Sequence, residues 1–175
     1  MSGPVVVLVG PPGVGKTSVG RLLARALEVE LRDTDRDIEE QTGSSVADLF
    51  VTEGEPHFRD LEVAAVANAL ANHPGVLTLG GGAVTEARTR QALAGHRVVF
   101  LDVGLSDVMR RLGMNRSRPL LLGNVRQQWM RLMDQRRPLY QEVAAATVNT
   151  DGRSAADVAK EIEEMLSVAT GADGA

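Results

Sequence analysis

The stretch Gly10-Pro11-Pro12-Gly13-Val14-Gly15-Lys16-Thr17 matches G-x-x-x-x-G-K-[ST]. It stands between an aliphatic run over residues 5–9 and a segment that places Val19, Leu22, Leu23, Ala26 and Leu27 at helical spacing. Strand, glycine loop and helix in that order are what the motif needs to hold a phosphate. The glycines let successive backbone N–H groups curl round the anion, and the helix amino end adds partial positive charge. Lys16 can reach the β and γ phosphates, and Thr17 offers a hydroxyl to Mg²⁺. A chance match in a chain of this composition arises roughly twice in a thousand sequences. All but two of the 19 basic residues are Arg, the exceptions being Lys16 and Lys160, so a lysine inside the motif is not background. The implied ligand is a nucleoside triphosphate, most simply ATP.

Strand and helix patterns alternate along the rest of the chain. Residues 30–32 read as a short strand leading into Asp33-Thr34-Asp35, and residues 38–41 as a brief helix stopped by Gly43. Ser45 with Asp48 three positions on resembles a capping box for a turn over 46–50. Helix is expected from 55 to 71, strand from 76 to 79 ending in Gly80-Gly81-Gly82, helix from 86 to 93 and strand from 97 to 103. Ser106 is expected to cap the next helix. Residues 113–124 read as a mobile loop, followed by helix over 125–136, a turn at Pro138-Leu139-Tyr140, strand over 145–149, helix over 155–166 and a frayed tail over 170–175. This alternation predicts one α/β domain over residues 1–175 with a mainly parallel sheet. Ligands in such folds sit at the carboxyl ends of strands, where Gly10, Asp33 to Asp35 and Gly80 to Gly82 all fall.

Composition removes several alternatives. A net charge of -4 and a pI near 5.4 argue against general binding to nucleic acid or anionic membrane. The chain has no cysteine, which excludes a disulfide scaffold, a thiolate zinc site and a cysteine nucleophile. His57, His73 and His96 lack metal-ligand spacing and read as structural. The longest apolar run, residues 4–9, is far short of the roughly 18 residues of a membrane span, and a cytoplasmic protein is expected. An Asn-Lys-x-Asp guanine motif is impossible with lysine only at 16 and 160, and a motor or AAA-type ATPase would need a longer chain. A small-molecule phosphotransferase remains.

On the acceptor side, Asp33 and Asp35 are two residues apart and would project to one side if the segment is extended. One carboxylate could then serve the Mg²⁺ water shell and the other orient or deprotonate an acceptor hydroxyl. Arg59, with Phe58 beside it and Glu62 three positions later, reads from spacing alone as half of a surface ion pair. Arg116 and Arg118 fall in the loop over 113–124, where arginine can close over transferring phosphates.

The phosphate loop, Asp33-Thr34-Asp35, Phe58-Arg59, Leu79-Gly80-Gly81-Gly82, Arg118-Pro119-Leu120-Leu121 and Arg136-Arg137-Pro138-Leu139-Tyr140 occur in the order and rough spacing of the bacterial shikimate kinases. The chain resembles that family over residues 5 to about 166. The resemblance implies a nucleoside monophosphate kinase-like fold, a five-stranded parallel sheet in order 2-3-1-4-5, with a substrate region near 33–62 and a lid near 113–124. It also implies transfer from ATP to the 3-hydroxyl of shikimate, with Mg²⁺ as cofactor. By the resemblance, Asp35 holds that hydroxyl, and Arg59, Gly81 and Arg136 hold the substrate, with Phe50, Phe58 and Glu62 completing the pocket wall. Asp33 acts through magnesium-bound water, and Thr17 binds the metal. Gly13, Val14, Gly15, Lys16, Thr17 and Ser18 cradle the phosphates. Lys16 and Arg118 stabilise the transferring group, Arg111 lies against adenine, and Arg153 is on the nucleotide side. The family's R-x-P-L-Y pattern selects Arg136 over its neighbour Arg137. The family's adenine-side loop often carries a proline, and residues 151–155 have none. The expected partners are shikimate and ATP alone, with the protein a monomer. A gluconate kinase or a nucleotide-sensing module without turnover would share the phosphate loop but not the full acceptor set.

Overall fold

The computed structural model describes residues 3–111 and 119–172. Five parallel strands form one sheet in the order β2-β3-β1-β4-β5, as expected. The strands are β1 Val6–Val9, β2 Leu31–Asp33, β3 Val76–Thr78, β4 Val98–Asp102 and β5 Ala146–Asn149. Every residue of β1 and β3 is buried, which is why these strands read as unbroken aliphatic runs rather than alternating ones. β1 pairs with β3 through Val7 and Leu77 and with β4 through Val7 and Val98.

The helices are α1 Lys16–Ala26, α2 Thr34–Thr42, α3 Val46–Thr52, α4 Glu55–Asn72, α5 Ala87–Ala92, α6 Leu105–Arg111, α7 Pro119–Val143 and α8 Ala155–Ala172. α1 packs on α8, and α4 packs on α2, α3 and α5. The main core joins the strands to α1, α4, α7 and α8. A second, smaller core of Ile38, Leu49, Phe58 and Ala65 ties α2, α3 and α4 together. That second core fixes the acceptor end of the molecule.

Five readings need correction. Asp33-Thr34-Asp35 is not extended: Asp33 ends β2 and caps α2, so Thr34 and Asp35 are already helical. The Asp33 carboxylate accepts from the Asp35 N–H at 2.9 Å, and this cap, not strand alternation, sets the pair's geometry. Ser106 lies inside α6, whose first turn instead closes on the Gly104 carbonyl through the Val108 N–H. Pro138, Leu139 and Tyr140 are helical, not a turn, because α7 runs on to Val143. Proline there removes one backbone hydrogen bond, but Tyr140 is fully buried and stacked on Phe100 with ring centroids 4.9 Å apart, and that packing holds the helix on course. Of the stretch read as a loop, 119–124 begins α7 and 113–118 lies outside the described residues. Residues 170–172 of the tail are likewise helical.

Ser45 caps α3 by accepting from the Asp48 N–H at 3.1 Å, as its spacing suggested. Gly43 ends α2 at φ 70°.

Candidate active site

The phosphate loop leaves β1 at Gly10, where an added Cβ would lie 2.6 Å from the Leu101 carbonyl oxygen, so a larger residue would push the loop off the sheet. Gly15 enters α1 at φ 99°, a left-handed conformation that glycine adopts without strain. The Lys16 ammonium donates to the carbonyls of Gly10 at 2.7 Å and Pro11 at 3.0 Å. Burial lowers its pKa to about 8, against the opposing pull of the Asp35 and Asp33 carboxylates. Thr17 and Ser18 follow on the exposed first turn of α1.

Across from Lys16 stands an acceptor-side cluster built on α2, α4 and the loop after β3. Burial raises the pKa of Asp35, and the Asp33 charge adds to it, despite Lys16. One Asp35 oxygen, Oδ1, is buried with no hydrogen-bond partner among the described residues. Gly80 leaves room for it, since a Cβ there would come within 2.7 Å of Asp35 Oδ1 and 2.9 Å of Glu62 Oε2.

Arg59 and Glu62 do not form the surface pair that their spacing suggested. Both are buried, at 7% and 1% exposure, and Arg59 Nη1 donates to Glu62 Oε1 at 2.7 Å. The Arg59 Nε and Nη2 also donate to Glu55. The guanidinium lies 5.6 Å from the Phe50 ring centre and 5.5 Å from that of Phe58, and a side chain on Gly82 would collide with it. Because the pair is buried, it is not a solvated surface ion pair. Burial pushes the Glu62 pKa up to about 7 even though Arg59 opposes the shift. Sequence spacing could not reveal this, because it does not register the second core that closes over α4.

α7 splits its adjacent arginines. Arg136 is half-buried and acts electrostatically on Lys16, Glu62 and Tyr140, so it faces the site. Arg137 instead donates to Asp102 Oδ1 at the end of β4, at 2.9 Å. The Tyr140 hydroxyl donates to the Gly81 carbonyl, and burial raises its pKa to about 12. A Cβ on Gly81 would meet Pro12 Cδ at 2.8 Å, so the glycine run packs directly against the phosphate loop. Tyr140 belongs to a motif quoted from the sequence, but its role as a strut for the Gly81 backbone was not visible there.

On the other side of the loop, a cavity of about 230 Å³ is lined by Gly13, Val14, Ser18, Arg111, Arg153 and Val158, among others. Arg111 donates to the Val14 and Thr150 carbonyls at 2.9 and 2.7 Å. Arg153 donates to the Asn149 carbonyl and to Glu161. Gly13, Val14, Gly15, Lys16, Thr17, Ser18, Arg111 and Arg153 are thus gathered at one end, and Asp33, Asp35, Arg59, Glu62, Gly81 and Arg136 at the other, with Phe50 and Phe58 behind Arg59. Arg118 lies outside the described residues. His73 is buried with Nε2 3.0 Å from the Val76 carbonyl, a structural role.

Residues 12–167 match the family model for shikimate kinase. A shikimate kinase from Streptomyces avermitilis is 54% identical over 166 residues, covering 95% of this chain and 97% of that protein. One from Salinispora arenicola is 55% identical over 163 residues, covering 93% and 98%. Among solved structures, a shikimate kinase from Acinetobacter baumannii in complex with shikimate aligns with a TM-score of 0.84 at 37% identity, covering 95% of this chain and 93% of that one. A gluconokinase from Sinorhizobium meliloti aligns with a TM-score of 0.60 at 21% identity, covering 93% and 90%, a likeness of fold alone.

Proposed function

The chain belongs to the shikimate kinase family, and from that premise we propose how its residues divide the work of moving a phosphoryl group from ATP to the 3-hydroxyl of shikimate. The enzyme is an ATP-dependent phosphotransferase acting on an alcohol. The observation that carries the division of labour is the buried Asp35 Oδ1 without a partner, flanked by the Lys16 ammonium on one side and the Arg59–Glu62 pair on the other. A buried acceptor of this kind is costly unless a donor arrives. The substrate hydroxyl is that donor.

Asp35 accepts the hydroxyl proton, and its raised pKa makes it a stronger base than an exposed aspartate. Lys16, whose ammonium is destabilised by burial, gains most when phosphate charge builds up beside it. The substrate carboxylate takes Arg59 and Arg136. Three N–H groups of Arg59 are spent on Glu55 and Glu62, and the guanidinium fork has further donors for a planar anion. Arg118 and the lid over 113–124 belong to the same proposal.

Mg²⁺ fits a small donor set. Thr17 is exposed beside the loop, and Asp33 spends Oδ1 on the Asp35 N–H, leaving Oδ2 for a metal-bound water. Among the described residues no group of three or more His, Asp and Glu could enclose a metal. This suits an ion that keeps several waters and leans on substrate phosphates, whose charge it neutralises when bound. Among the described residues no helix is long and apolar enough to cross a membrane. A monomer working in the cytoplasm completes the proposal.

The test is coupled ADP release with shikimate, gluconate and nucleoside monophosphates offered separately. Turnover with shikimate alone is expected, and comparable kcat/KM for gluconate would contradict the acceptor assignment.

A further inference from the structure

We propose that Asp107 is a positioning residue for nucleotide binding, acting through Arg111 to hold the phosphate loop and the loop after β5 at a fixed separation. The inference rests on reading the 230 Å³ cavity as the base-side end of the ATP site.

Asp107 is on α6 and only 6% exposed. A buried carboxylate must be paired, and the partners here are informative. Its Oδ2 takes Arg111 Nη2 at 2.8 Å, Arg110 pairs with its Oδ1, and the Gly152 N–H approaches Oδ1 at 3.4 Å. Arg111 then spans two segments far apart in sequence, donating Nη1 to the Val14 carbonyl in the phosphate loop and Nη2 to the Thr150 carbonyl and hydroxyl. Thr150 is itself pinned, since its N–H and hydroxyl both donate to the Asp102 carbonyl at 2.9 Å. Asp151 adds a second tie to α6 by accepting from the Gly104 N–H at 2.7 Å.

Val14, Arg111 and Thr150 all line the cavity, so the arginine is one wall and also the brace between two others. An arginine with a flexible stem fixes that width only if its guanidinium is anchored from behind. Asp107 is the anchor. Among the described residues none of its contacts reaches the acceptor side, so its loss should fall on the nucleotide.

The experiment is steady-state kinetics with each substrate varied in turn, together with calorimetric titration of ADP, on Asp107→Asn, Asp107→Glu, Arg111→Lys and Ala155→Phe. Ala155 also lines the cavity, and phenylalanine there intrudes on it while leaving Asp107 intact. Asp107→Asn is expected to raise the KM for ATP and weaken ADP binding by about tenfold, with the KM for shikimate unchanged within about twofold. Asp107→Glu should recover part of the loss, and Arg111→Lys, which keeps the charge but not the fork, should resemble Asp107→Asn even if that variant folds poorly. If Ala155→Phe raises the KM for ATP while the Asp107 and Arg111 variants leave it unchanged, the positioning role is overturned and the cavity reading stands. An unchanged KM for ATP in Ala155→Phe removes the cavity reading and this inference with it. Equal rises in both KM values for Asp107→Asn and Arg111→Lys would mark a merely structural role and overturn the proposal.

Discussion

The two ends of the site are built from different materials. The nucleotide end is largely backbone: glycine N–H groups, carbonyls that engage Lys16 and Arg111, and hydroxyls on the exposed first turn of α1. The acceptor end is made of buried charges held by one another, with Arg59 and Glu62 paired under Phe50 and Phe58 and Asp35 enclosed beside Gly80. Backbone amides cost little to present to a ligand because the fold places them there anyway. Buried charges strain the fold, and they are kept where a substrate must be gripped and a proton moved.

The largest expected effect tests the nucleotide end. Lys16→Met should abolish turnover with an unchanged circular dichroism spectrum, because the ammonium meets charge that grows during transfer. Retention of more than about a tenth of the rate, a change under roughly 1.4 kcal/mol, would remove Lys16 from the transition state. Next comes the proton. Asp35→Asn keeps the shape and the helix cap, whose donor is a backbone N–H, and should lower kcat by about a hundredfold or more. Calorimetric ADP affinity should stay within about twofold of wild type; a matching loss there would mean that the two ends are not separable.

A smaller effect distinguishes the ends by pH. Glu62 has a folded pKa of about 7 against an ordinary 4.5. Between those values the folded state therefore binds more protons than the unfolded chain, and this group's contribution to stability falls as pH rises from about 4.5 to 7. Lys16, lowered from 10.5 to about 8, acts in the opposite sense. The unfolded chain binds more protons between pH 8 and 10.5, so stability rises there. In urea melts, Glu62→Gln should flatten the acid-side slope, worth about 3 kcal/mol across the interval, and leave the alkaline side alone. An unchanged acid slope would show that Arg59 holds Glu62 ionised throughout.

The sequence exposed the nucleotide end more fully than the acceptor end, for a physical reason. A phosphate loop is local, so eight consecutive residues carry both its geometry and its chemistry. The sheet's centre was legible because the buried parallel strands β1, β3 and β4 leave aliphatic runs, whereas the less buried outer strands β2 and β5 were placed by their position between helices. The acceptor end depends on contacts between segments far apart in sequence. Arg59 and Glu62 looked like a surface pair because nothing in their spacing tells of the core around Ile38 and Leu49. Tyr140 supports Gly81 from 59 positions away, and Arg111 reaches Val14 across 97. The path of α7 through Pro138 was missed because local propensity disfavours it, and tertiary packing, including the burial of Tyr140 against Phe100, outweighs that preference.

The central claim is that the acceptor end grips a substrate carboxylate with arginine, and that α7 assigns this task to Arg136 while Arg137 holds Asp102. The most direct measurement is kinetics of Arg136→Ala, Arg137→Ala and Arg136→Lys, with shikimate varied at saturating ATP. Removing a charge-assisted partner of the substrate costs about 2 to 5 kcal/mol, so Arg136→Ala should lower kcat/KM for shikimate by more than about thirtyfold. The KM for ATP should barely move, and Arg136→Lys should recover only part of the loss because an ammonium lacks the two-pronged geometry. Arg137→Ala should leave kcat/KM nearly intact and cost at most about 1 kcal/mol of stability, as expected for a partly exposed pair. A large loss confined to Arg137→Ala would contradict the division between the two arginines, and no loss in either would contradict the carboxylate grip itself.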